Sequence, residues 1–298
     1  MSFAGTDLMI EGVVEKTRSY IDLPDVGSRF DDDWIVKHEV GSVIPDIIHR
    51  IRNWDSSTLY MNYDFTGVTD QYLYRMPVGC KDIVRLEQLD SNSDVVVQYL
   101  PRGDDHPRGY GWRVSGDSLQ FAEQLSTSTT YRMVFTSSGD ASLHTGSGAL
   151  AADLSTLTLA STPTLGAVDR REGAYIGYTL RVKPTSGPIE ERIITSHTWT
   201  GSEWTVGVRE AFTDLTEASH TYEIVPWAMT QFWECVAVRA AMRIAAKLSA
   251  SKKDQTFLKL EYNSVLKTAI ESHEFRQNRR PPKLRTDGTP SLSNRGSW

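Results

Sequence analysis

Apolar positions along the chain change period twice. Near the N-terminus Leu8, Met9, Val13, Val14 and Thr17 share one side of a helical wheel, and Val40, Val43, Ile44, Ile47, Ile48, Ile51 and Trp54 recur at three-to-four spacing. Thr6 or Asp7 can cap the first helix, and Pro24 and Gly27 break it. One acid of Asp31-Asp32-Asp33, just before Trp34, is expected as an N-cap, with the others favouring the positive end of the helix rather than holding a divalent cation. Gly41 and Pro45 predict a break or restart near Ser42.

From Thr58 the period becomes two. Tyr72 and Tyr74, Val84 and Leu86, and Tyr131, Met133 and Phe135 alternate, Val95-Val96-Val97 is a β-branched run, and turn-rich segments at 91–94 and 103–111 separate the runs. A second β-region fills 141–225, from Gly146-Ser147-Gly148 through Thr179-Leu180-Arg181-Val182, Arg192-Ile193-Ile194 and Trp204-Thr205-Val206 to Tyr222-Glu223-Ile224-Val225. Its short strands at about ten-residue spacing predict a small barrel or sandwich. Helical periodicity returns after Pro226: Phe232, Val236, Ala240, Ile244 and Leu248 repeat every four residues, with Ala237, Ala241, Ala245 and Ala246 beside them. Ser251 and Asp254 resemble a capping box, so a hairpin of helices over 228–250 and 252–275 is expected. Residues 276–298 carry Arg279-Arg280-Pro281-Pro282 and few large apolar side chains. That stretch cannot build a core; extended, it reaches about 70–80 Å.

Composition narrows the class. The 298 residues are 39% hydrophobic and 23% charged, as in a folded globular chain, and no apolar run approaches a membrane span. No basic segment followed by an apolar core opens the chain, so a secretory signal is not expected. Cys80 and Cys235 are too few and too distant for a disulfide framework or a thiolate metal site. The net charge of −6 conceals a split: residues 1–226 sum to −13 and residues 227–298 to +7. A charged partner or a neighbouring subunit at one end of the molecule is the expectation.

Signatures of catalytic chemistry are sparse in the chain. There is no phosphate-binding loop, nucleophile elbow or dinucleotide glycine pattern, and His38-Glu39 and His273-Glu274 both lack the second histidine of a zinc-protease helix. The seven histidines stand singly, and Asp104-Asp105-His106, between Gly103 and Pro107, reads as a solvated turn. Paired carboxylates of a glycosidase come from distant segments and have no specific support here. Trp34, Trp54, Trp227 and Trp233 read as core or interface anchors, whereas Trp112, Trp199 and Trp204 sit in β-regions where stacking on sugars is open. The basic tail lacks the interleaved aromatics of a nucleic-acid binder, so protein docking is the expectation for it.

The order of these parts resembles the head-to-tail adaptor (connector) proteins of tailed bacteriophages. The resemblance is carried by Leu8 through Tyr20-Ile21-Asp22-Leu23 and Asp31-Asp32-Asp33-Trp34 to Ile47-Ile48-His49-Arg50-Ile51; by Tyr72-Leu73-Tyr74-Arg75-Met76-Pro77 with Asp82-Ile83-Val84-Arg85-Leu86; and by Asp169 to Thr195, with Tyr175-Ile176-Gly177-Tyr178 and Arg192-Ile193-Ile194-Thr195. Tyr222-Glu223-Ile224-Val225-Pro226 then enters the C-terminal helices. The resemblance implies an α+β chain: an N-terminal helical segment (1–57), a central β-domain (58–140), an inserted small β-barrel or sandwich module (141–225), a C-terminal helical hairpin (226–275) and an extended basic arm (276–298). It further implies a non-enzymatic ring of about twelve copies, without cofactor, metal or membrane contact. The ring would join the portal protein to a tail tube or nozzle protein and pass DNA through its lumen without reading sequence. Its place would be the neck of the virion, and the host cytoplasm during assembly. Helix packing between subunits then falls to Trp227, Phe232, Trp233, Val236, Ala240 and Ile244, and docking on the portal or a neighbour to Arg276, Arg279, Arg280, Lys283, Arg285 and Trp298. A tail or baseplate protein with a carbohydrate-binding β-module is the rival reading.

Overall fold

A computed structural model of the chain describes residues 8–23, 29–54, 60–101, 111–184, 187–216, 218–248, 250 and 252–278. The N-terminal stripe folds as expected into helix α1 (Met9–Ser19), followed by a single turn α2 (Asp32–Trp34), a π-helical turn over Ile35–Val40 and helix α3 (Gly41–Trp54). Asp31 is the N-cap of α2: its carboxylate accepts from the Trp34 N–H at 2.7 Å. Its two neighbours are also engaged, Asp32 with the Arg18 guanidinium and Asp33 with Lys37 and with the Gly166 N–H. The break expected near Ser42 is instead the wide π turn. It keeps the chain helical into α3, where Pro45 has no N–H to bond the carbonyl four residues back.

The cap of α1 is not local. Thr6 and Asp7 lie outside the described residues, and the N-cap position Leu8 has no capping side chain. The buried Glu223 carboxylate, more than 200 residues away, accepts from the Met9 and Ile10 N–H groups at 2.7 and 2.9 Å. It also pairs with the buried Arg181 guanidinium, which reaches Glu191 at 2.7 Å. One carboxylate thus ties the start of the chain to the strand that leads into its C-terminal helices.

The first β-region forms β1 (Tyr60–Thr66), β2 (Leu73–Arg75), β3 (Cys80–Leu89), β4 (Val95–Pro101), β5 (Gly111–Ser115), β6 (Ser118–Phe121) and β7 (Thr130–Ser137), ordered β1-β7-β3-β4-β5-β6-β2. Among the described residues a two-residue parallel pairing, Leu100 with Gly111 and Pro101 with Trp112, is the one strand pairing between its two antiparallel sheets, which also share a core. Alternation places Tyr74, Leu86, Tyr99, Trp112, Phe121, Tyr131 and Phe135 in one core. There Phe65, Tyr74, Tyr99, Phe121 and Tyr131 meet at ring distances of 5.2 to 6.3 Å.

The second β-region supplies β8 (His144–Ala149), β9 (Thr156–Thr158), β10 (Leu165–Gly166), β11 (Thr179–Lys183), β12 (Glu190–Trp199), β13 (Trp204–Val208) and β14 (Ser219–Val225). They form a third antiparallel sheet, ordered β10-β8-β14-β11-β12-β13-β9. The expected barrel is not found: among the described residues β10 pairs with His144 and Thr145 at the outer edge of β8, β9 forms no ladder with β8, and an isolated Leu150–Leu157 bridge is the one pairing between the two ends.

Helices α4 (Trp227–Lys247) and α5 (Lys252–Asn278) follow Pro226. The hairpin stands as expected. Its first helix ends three residues early and its second runs three residues longer, so Arg276 belongs to α5 rather than to an arm. Ser251 lies outside the described residues. The sheet of β8–β14 shares a single hydrophobic core with α1, α3 and α4, whereas β1–β7 enclose a core of their own. Gly177, at φ +83°, marks the seam: a Cβ there would stand 2.5 Å from the Met61 sulfur on β1.

Candidate functional site

The residues expected to pack helices between subunits divide in two. Phe232, Val236, Ala240 and Ile244 are buried within the chain itself, in the core shared by α1, α3 and the β8–β14 sheet. A four-residue apolar period marks a buried helix, and in the single chain the elements that bury these side chains are its own. Trp233 is half-buried against the same core, and the Trp227 side chain lies outside the described residues. Of the docking set, the backbone of Arg276 lies in the last turns of α5; its side chain and Arg279, Arg280, Lys283, Arg285 and Trp298 lie outside the described residues.

The basic residues of α4 are held by acids of the N-terminal helices. Glu39, buried in the π turn, accepts from Arg243 at 2.8 Å and pairs with Lys247. Asp46 on α3 bonds Arg239 at 3.2 Å and lies 3.6 Å from Arg50. Lys247 also sits 4.7 Å over the Trp34 ring. A net positive segment and a net negative one are thus joined inside the molecule.

The sequence shows seven isolated histidines, but folding gathers two of them. His144 and His197 flank the buried Tyr175 ring: His144 Nδ1 lies 3.1 Å from the Tyr175 hydroxyl, His144 Nε2 lies 3.2 Å from the Tyr222 hydroxyl, and the His197 ring is 4.6 Å from Tyr175 and from Trp204. Burial drives both imidazoles toward the neutral form, His144 to about 3 and His197 to about 4. Among the described residues neither His197 ring nitrogen meets a partner at good hydrogen-bond geometry. These rings fill the sheet interior, with almost no exposed surface at which a substrate could meet them. Strand alternation around 144, 197 and 222 was the available signal, but Tyr175 comes from the turn before β11, and sequence spacing alone does not reveal which strands pair. Asp169, beside this group, accepts from the Ser142 N–H at 3.1 Å and from the Arg171 guanidinium at 2.7 Å; Arg171 in turn bonds Asp140. These contacts lower the Asp169 pKa against the opposing cost of its burial.

A concavity of about 510 Å³ lies along the β1–β12 seam, lined by Tyr60, Met61, Asn62, Gly177, Glu191, Arg192, Ile193, Thr195, Arg209 and Glu210. Its charges are mostly engaged: Arg209 with Asp64, Arg192 with Glu190 at 2.8 Å, and Glu191 with Arg181. Asp64 also takes a bidentate bond from Arg132, at 2.9 and 3.0 Å. Such pairs fix strands in place; they do not leave an acid and a base facing one another across open space.

Elsewhere the described residues hold no group of three or more metal-ligating side chains. The Asp104-Asp105-His106 turn lies outside them. Burial pushes the Cys80 and Cys235 thiols up to about 12, so both are poor nucleophiles. Trp112 is buried and donates to the Tyr99 carbonyl at 3.2 Å, which removes it from the sugar-stacking set. Trp199 is 49% exposed at the β12–β13 turn and packs 5.4 Å from Trp204. No described helix is long and apolar enough to cross a membrane. No protein-family model matches the chain, and no curated protein matches it.

Proposed function

We propose that this chain is a non-enzymatic head-to-tail adaptor of a tailed bacteriophage, a ring-forming subunit between the portal and the tail tube or nozzle. The observation that carries the reading is the joining of the two chain ends: α1, α3 and α4 share one core, Glu223 caps α1, and Glu39 and Asp46 hold α4. Such an element is a rigid helical unit, and the β1–β7 region with its own core stands off it as a second body suited to side-to-side contact. In this reading about twelve copies close into the ring, the basic residues beyond Asn278 dock on the portal or a neighbour, and DNA passes an acidic lumen that does not retain phosphates. No cofactor enters the reading. The protein would act in the virion neck after assembly in the host cytoplasm.

Electron microscopy of the purified full chain, alone and with portal protein, tests this. Rings of about twelvefold symmetry that cap the portal are expected. A chain that stays monomeric in the presence of portal refutes the reading.

The exposed Trp199 beside Trp204 favours one rival, a tail or baseplate protein whose β-module stacks on host carbohydrate. Binding to host glycans that disappears in Trp199→Ala would establish it, and indifference to glycans would remove it.

A further inference from the structure

A groove of about 490 Å³ runs between α4 and α5, lined by Met242 and Ala246 and by the polar side chains of Arg239, Arg243, Lys259 and Gln255, whose Nε2 also donates to the Ala250 carbonyl at 3.0 Å. Asp46 and Glu39 hold the two arginines through one part of each guanidinium, which fixes the planar forks and leaves further N–H groups for a second acceptor. Lys259 is exposed and has no ion pair among the described residues. A set of fixed guanidiniums, an amide and an ammonium around a small apolar patch suits an oxyanion, and two guanidinium forks suit planar carboxylates in particular.

We infer that this groove receives a carboxylate-bearing segment from residues 1–226 of a second copy of the chain. Charge complementarity selects that occupant. Residues 1–226 carry −13, and two of the three cations at the groove are already positioned by acids of their own subunit. Nucleic acid is disfavoured, because a phosphate backbone is tracked by an extended basic stripe, whereas this patch is confined to one groove and bordered by Glu39 and Asp46. The inference rests on the ring reading and adds to it the contact that joins neighbouring copies. It also gives the helical hairpin a role between subunits.

Lys259→Glu is the decisive variant, since the side chain is exposed and its loss disturbs no internal pair. The full chain and the variant are compared by mass photometry at low and high salt. Zero-length carbodiimide coupling, which joins Nζ of a lysine to a carboxylate in contact with it, is applied in parallel and mapped by peptide mass. Unchanged thermal melting, at least tenfold weaker association and loss of an intersubunit link between Lys259 and an Asp or Glu of 1–226 are expected. If rings form and Lys259→Glu leaves both their stability and the cross-link map unchanged, the groove assignment falls and the adaptor reading stands. If the wild-type chain is monomeric throughout, with portal present as well, both fall. Binding of duplex DNA that Lys259→Glu abolishes, without any intersubunit link, overturns the proposal in favour of a phosphate site.

Discussion

Replacing Glu223 with alanine should loosen both ends of the molecule together. The carboxylate is fully buried, accepts from two N–H groups at the start of α1 at 2.7 and 2.9 Å, and pairs with an Arg181 that is itself 3% exposed. Removing it orphans two helix donors and leaves a buried guanidinium with only the half-exposed Glu191. Breaking a buried pair from one side costs about 3–5 kcal/mol; the Glu191 contact that survives places the expectation at the lower end, about 3 kcal/mol. With a urea slope of about 3 kcal/mol per molar, that is a midpoint lowered by about 1 M, followed by tryptophan fluorescence. A cycle with Arg181→Met should be non-additive, the double variant costing about 2 kcal/mol less than the two single losses combined. Burial is the largest influence on Glu223 and raises its pKa against the pull of Arg181 and the two amides. A raised carboxyl takes up its proton in the folded state first, so lowering the pH through that range favours the fold, and acid sensitivity must come from other groups. A loss below about 1 kcal/mol, or strict additivity in the cycle, would refute the picture of one carboxylate bridging N-terminal helix and β-sheet.

Acid sensitivity is expected from His144 and His197. Their folded pKa values of about 3 and about 4 lie below the ordinary 6.5, so the unfolded chain binds more protons as pH falls below 6.5. The stability present above that point declines toward pH 4, by about 3 kcal/mol for His197 alone, and thermal melts from pH 7.5 to 4.5 should be visibly flatter in His197→Phe. Gly177→Ala should destabilise by about 1–3 kcal/mol, because φ is +83° and the new methyl meets the Met61 sulfur; Met61→Ala should recover only the steric part, as read from melting midpoints. Deleting 276–298 should leave circular dichroism and melting nearly unchanged while weakening portal docking in a pull-down. If arginine charge carries that docking, high salt should weaken it in the full chain as well.

Local rules made much of this fold legible. The stripe from Val40 to Ile51, the alternation of Tyr131, Met133 and Phe135, the Asp31 cap and the helical turn after Pro226 all follow from the nearest few residues, and the structure bears them out. What escaped was set by partners far along the chain. A four-residue repeat of Phe232, Val236, Ala240 and Ile244 announces a buried face without saying what buries it. Ten-residue strand spacing fits a barrel and an open sheet equally, and the two-residue strand β10, which pairs with His144 and Thr145 at the outer edge of the sheet, is too short to leave a periodic trace. The cap from Glu223 and the grouping of His144 with His197 depend on strand pairing, which no local pattern records.

The charge split is the feature whose meaning the structure alters most. Read along the chain, a −13 region followed by a +7 region pointed outward, to a partner of opposite sign. In three dimensions part of that contrast is satisfied internally, since Arg239, Arg243 and Lys247 meet Asp46 and Glu39. Helices α4 and α5 together carry only +3, and residues 279–298 carry +4. Among the described residues the groove cations, Lys259 beside its two braced arginines, are one place left to attract a partner, and the basic residues beyond Asn278 are a second. These two should separate by experiment. A short-range contact between fixed forks and carboxylates should resist salt up to a few tenths molar, whereas docking through the net charge of the arginines beyond Asn278 should decay steeply over the same range. Assembly of copies and attachment to the portal would then show different salt thresholds; identical thresholds would mean that one surface serves both.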